Sequence, residues 1–176
     1  GKTYWIRHAL KGVPVIDLLE TDVFADYASR PALLRERFSN HKGLLVIDEI
    51  QKVPALLDEV HGLIENRGIQ FLLTGSSARK LRRGHANLLG GRAWRRTMAP
   101  LSALEISPFT LARVLAAGML PSHYLSPDPA EDLRSYVADY LQEEIAAEAA
   151  TRSIPAFREF HRVAPLTGGG LLNYAN

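Results

Sequence analysis

The chain has 176 residues, room for one domain or for a domain and part of a second. Apolar residues make up 47% and charged residues 23%, a globular composition in which no apolar run approaches the ~20 residues of a membrane span. Cysteine is absent, which excludes disulfides and thiolate metal sites and fits a cytoplasmic location, and the net charge of +2 hides a basic block between Arg79 and Arg96 that contains no acid.

In chain order, "TYWIRHAL" (3–10) has helical spacing that would place Tyr4, Ile6, Ala9 and Leu10 on one face. "VPVIDL" (13–18) is short, β-branched and apolar, and reads as a strand. "RPALLRERF" (30–38) reads as a helix with Pro31 in its first turn. "GLLVID" (43–48) is apolar on both faces, as a buried parallel strand must be. "VPALLDEVHGLIEN" (53–66) is helical in period, and "IQFLLTG" (69–75) is a second buried strand. "SARKLRR" (77–83) is a short helix and "AWRRTMAP" (93–100) a further strand. Beyond residue 107 the pattern turns helical over 108–117, 130–149 and 155–163, and "YLSPDPAED" (124–132) has the composition of a linker. Strands alternating with helices predict an α/β fold, a parallel sheet flanked by helices over 1–107, followed by a helical module over 108–176.

The chemistry concentrates where the buried strand 43–48 runs into Asp48 and Glu49. Ligands of open parallel sheets bind beyond the carboxyl ends of the strands. Two acids there are costly to bury without a partner, and a cation supplies one. Magnesium takes one or two carboxylates together with phosphate and water. Asp48 is placed to hold such an ion and Glu49 to polarise an attacking water. The plain alternative is a strand-to-loop exit with no chemistry.

The first three residues, Gly1-Lys2-Thr3, shift that balance. "GKT" is the end of the phosphate loop G-x-x-x-x-G-K-[ST], whose amides cradle phosphates at a helix N-terminus. Lys2 would reach the β- and γ-phosphates, and Thr3 would offer its hydroxyl oxygen to magnesium. "FLLTGSS" (71–77) adds Thr74 and Ser76, polar groups on a neighbouring strand end that could orient water, although Ser76 or Ser77 could equally cap the next helix. Arg92, after Gly90 and Gly91, is a candidate for a guanidinium near the γ-phosphate, or else a surface arginine.

Taken together, "GKT", "GLLVIDEIQKVPALLDEVHGLI", "FLLTGSSARKL", "LLGGRA", "MAPLSALEIS", "YVADYLQEEI", "AFREF" and "LLNYA" resemble the AAA+ family of P-loop ATPases, in the bacterial and archaeal type with a winged-helix-containing C-terminal region. The resemblance implies ATP and Mg2+ as cofactors, with Gly1, Lys2 and Thr3 in the phosphate loop. It makes Asp48 the magnesium acid and Glu49 the catalytic acid, with a sensor at Thr74–Ser76 and a functional arginine at Arg92. It also implies that "LLNYAN" (171–176) opens a winged helix and that the chain is truncated at both ends, hence inactive alone. Relatives often carry Arg-Asp after "YL", where this chain has Gln142-Glu143-Glu144, and no role is carried to that spot.

A nucleic-acid-binding module using segment 79–96 without catalysis is the alternative reading, and it would bind with a steep salt dependence. A nuclease is disfavoured because Glu49 and Lys52 are three apart rather than two. A switch that binds nucleotide without turnover is disfavoured by Glu49 itself. Nucleic acid or protein partners and a homo-oligomer stay open; a membrane partner is not expected.

Overall fold

The computed structural model describes residues 1–75, 89, 91–139 and 153–164. The chain divides into two compact units, Gly1–Met98 and Ala99–Asn176.

The first unit opens with helix α1 (Lys2–Ala9), followed by strand β1 (Val15–Asp17), helices α2 (Thr21–Ser29) and α3 (Leu33–Arg37), strand β2 (Leu44–Asp48), a 3₁₀ turn (Ile50–Lys52), helix α4 (Leu56–Arg67) and strand β3 (Gln70–Leu73). The three strands are parallel in the order β1-β2-β3, which is the expected α/β architecture of a P-loop type sheet with flanking helices. β2 is central, and Leu45, Val46, Ile47 and Asp48 are all buried. Its alternate residues therefore face two covered sides. Leu45 and Ile47 join Ile16, Leu34, Leu56, Val60 and Leu63 in the main core. Val46 and Asp48 point to the opposite side, where α1 lies.

Helix α4 ends at Gly68, whose φ of 65° closes the last turn with an N–H to Ile64 O bond of 3.1 Å. That left-handed cap is inexpensive only for glycine. Helix α2 has no clear signature in the sequence. Its "TDVFADYAS" is rich in weak helix formers, and its stability comes from burying Tyr27 and packing Phe24 on the core.

Two expectations change. α1 buries Ile6 but exposes Tyr4 and Ala9, because the face it turns to the sheet runs through Thr3, Ile6 and the half-buried Leu10. Residues 93–100 are not a strand. An extended segment becomes one only with a hydrogen-bonded neighbour, and none lies beside it among the described residues. The helix expected at 77–83 lies outside the described residues.

The second unit carries a 3₁₀ turn (Ala103–Glu105) and helices α5 (Leu111–Ala117), α6 (Pro121–Tyr124), α7 (Pro129–Asp139) and α8 (Ile154–Val163). The Glu105 carboxylate accepts from Ser102 N–H and Oγ–H, both at 2.8 Å, and these bonds hold it below the usual carboxylate range. The segment 124–132 lies inside this unit. Arg113 donates to the carbonyls of Tyr124, at 2.8 Å, and Ser126. Such carbonyls need a donor when partly buried, so the Pro/Asp-rich stretch is a pinned turn between helices.

Candidate functional site

Three segments meet at the carboxyl end of β2. Thr3, one residue into α1, donates Oγ1–H to Asp48 Oδ2 at 2.6 Å across 45 positions of sequence. Thr74, just past β3, donates its hydroxyl to Asp48 Oδ1. Asp48 is only 1% exposed, and among the described residues no cationic side chain pairs with it. A carboxylate held by two neutral hydroxyls is satisfied in hydrogen bonds but uncompensated in charge.

Thr74 ties the turn together. Its N–H donates to Ile47 O at 3.0 Å, its carbonyl accepts from Ile50 N–H at 3.0 Å, and its hydroxyl oxygen accepts from Glu49 N–H at 3.4 Å. These bonds hold Glu49 in the left-handed region, φ 58° and ψ 42°, the only non-glycine with positive φ among the described residues. Placing a β-carbon there costs about 1–2 kcal/mol. Strain of this kind persists where surrounding structure over-determines it, and it concentrates at functional sites. The result is that Asp48 and Glu49, adjacent in sequence, leave the strand in different directions. The Glu49 carboxylate accepts from Gln51 Nε2.

Lys2 sits in the first turn of α1, half-buried, and pairs with no acid among the described residues. Gly1 is the N-cap of α1, its carbonyl accepting from Trp5 N–H at 3.0 Å. The structure thus brings Thr3, Asp48, Glu49 and Thr74 together at the carboxyl end of β2, and Gly1 and Lys2 precede Thr3 at the start of α1. Arg92 is placed elsewhere: it ion-pairs with Glu65 of α4. Ser76 lies outside the described residues, as do Arg79, Lys80, Arg82 and Arg83 of the basic block and the "LLNYAN" segment.

Two features of the site escape a reading of the sequence alone. Gln51 is one, and its clue is an amide two residues after an acid in "IDEIQ". The other is Asp17, at the end of β1, which accepts from Arg7 Nη2 at 3.3 Å. Its clue is that "VID" occurs twice, at 15–17 and 46–48.

A family model described as an AAA domain matches residues 1–107. The chain belongs to the AAA domain family. Residues 1–107 are therefore an AAA-type, P-loop ATPase-like domain, and the site lies within them. No curated protein and no solved structure matches the chain.

The residues of this AAA domain suit a metal that arrives with a nucleotide. Among the described residues no group of three or more His, Cys, Asp or Glu could cage an ion alone. What stands at the carboxyl end of β2 is one buried carboxylate and hydroxyl oxygens, all hard donors. Magnesium matches such a set when phosphate and water complete its shell. Among the described residues no helix is long and apolar enough to cross a membrane.

Proposed function

We propose that this AAA domain binds ATP with magnesium and hydrolyses it. The observation that carries the reading is the 2.6 Å bond from Thr3 Oγ1 to Asp48 Oδ2. It joins the end of a phosphate-loop sequence to an acid-ended parallel strand, as a site for a metal-bound triphosphate requires.

In this reading Thr3 and Asp48 hold the metal, and bound magnesium supplies positive charge against the phosphates. Gly1 and the amides of the first turn of α1 receive phosphate oxygens at the positive end of the helix dipole. Lys2 offers an ammonium that pairs with no acid among the described residues. Glu49 accepts the proton of the attacking water. Its separation from Asp48, imposed by the left-handed turn, lets one acid hold the metal while the other does proton chemistry. Thr74 keeps both in place from the neighbouring strand. Arg92, engaged with Glu65, would have to leave that ion pair to act on a phosphate, in its own chain or in a neighbouring copy.

The test is Glu49→Gln in the intact protein. Positioned acid–base groups contribute about 10²–10⁴ in rate. Turnover should fall by at least ~100-fold while the affinity for magnesium-ATP, by titration calorimetry, stays within about threefold. Hydrolysis at the wild-type rate would remove Glu49 from the mechanism.

A further inference from the structure

Val15-Ile16-Asp17 and Val46-Ile47-Asp48 are the same tripeptide, and the sheet pairs them residue for residue: Val15 beside Val46, Ile16 beside Ile47, Asp17 beside Asp48. Paired residues of parallel strands project to the same face. The two carboxylates therefore stand side by side on the side covered by α1. That helix reaches both with residues one turn apart. Thr3 donates to Asp48 at 2.6 Å, and Arg7 Nη2 to Asp17 Oδ2 at 3.3 Å. Between them Ile6 is buried, 1% exposed.

Asp17 is itself immobilised. Its Oδ1 accepts from Leu19 N–H at 3.0 Å, and its side chain is 13% exposed against 66% for Arg7. A fixed acceptor and a long, solvated donor suit a tether more than a stabilising core pair. An ion pair with so exposed a partner adds little to global stability. Its effect is expected in where the helix lies.

We propose that Arg7 and Asp17 are positioning residues for the phosphate-binding end of α1. A helix held by the Thr3 bond and the buried Ile6, less than a turn apart, can still rock about that short line of contact. A second hold one turn along fixes both its roll and its axial register on the sheet. Lys2 and Thr3 are then presented to the nucleotide in one arrangement instead of several. The inference rests on the nucleotide reading above, because it is the ATP site that the tether would organise.

The test uses the intact protein carrying Arg7→Gln, Asp17→Asn, both together, and Arg7→Lys. Each is measured for kcat, for KM toward magnesium-ATP, and for amide hydrogen exchange over residues 2–9 without nucleotide. A phosphate-binding end that samples several arrangements must be ordered when nucleotide binds, which lowers apparent affinity, so the single variants should raise KM roughly fivefold to tenfold and speed exchange in α1. Variation in kcat should stay within about twofold. Because the two residues act through one bond, the double variant should cost no more than the worse single variant. Arg7→Lys, which keeps the charge, should stay near wild type. Unchanged KM and exchange in folded single variants, or losses that add in the double variant, would overturn the tether while leaving the ATP site standing. A wild-type protein with no affinity for magnesium-ATP would overturn both.

Discussion

Asp17 and Asp48 end identical tripeptides on neighbouring strands, yet their surroundings differ in kind. Asp48 is on the central strand, sealed from water, and meets two neutral hydroxyls. Asp17 is on the edge strand, meets an arginine, and accepts the N–H of Leu19, two residues on. The chain also leaves the two strands differently. After Asp48 it turns through the left-handed Glu49, whereas after Asp17 it buries Leu18. Position in the sheet decides which carboxylate is sealed and which meets a cationic side chain among the described residues. Burying the central one costs free energy, whereas the outer one is compensated by Arg7.

The sharpest way to break that contrast is Asp48→Asn. It should abolish magnesium-dependent nucleotide affinity, a loss of ~100-fold or more in calorimetry, because a neutral amide is a poor magnesium ligand. In the absence of nucleotide the same change should leave the melting temperature equal or raise it, since it removes a buried charge that has no counter-charge among the described residues. A marked loss of stability without nucleotide would show that the charge of Asp48 is compensated after all.

Thr74→Val comes next in size. It is nearly isosteric but leaves Asp48 Oδ1 and Glu49 N–H without their hydroxyl partner, at a cost of about 1–3 kcal/mol in denaturant unfolding. Thr74→Ser, which retains the hydroxyl, should recover most of that. Equal stability of the Val and Ser variants would mean that the hydroxyl does not hold the turn.

Asp17→Asn should have the smallest effect on unfolding, about 0–1 kcal/mol, and the difference from wild type should shrink as salt is added. It should also differ from Asp48→Asn in sign, destabilising where the other is neutral or stabilising. A shared sign would mean that strand position does not separate the two acids.

Much of the site is legible in the sequence because its parts carry strong local signals. "GLLVID" is apolar on both faces, which only a covered central strand tolerates, and "GKT" before a helix and "LLTG" at the next strand end are compact motifs. Arg92 is less legible: its glycine context fits a mobile phosphate contact as well as the surface ion pair with Glu65 that the structure shows. The apolar period of α1 misplaces its inner face, since periodicity counts greasy residues and this helix docks partly through a threonine and an arginine. The segment 93–100 has strand composition without a strand, because composition describes one chain segment and a ladder requires two.

The amino-acid sequence by itself determined the kinds and order of most elements, α2 and the segment 93–100 excepted, since helical and extended periods are properties of neighbours a few residues apart. It also determined which chemical groups stand at the strand ends. Only the tertiary structure decided which acid is sealed, which is tethered, and that Thr3, Asp48 and Thr74 share one hydrogen-bonded cluster. Those outcomes depend on bonds spanning 10, 26 and 45 residues, and no local pattern encodes the partner at the far end.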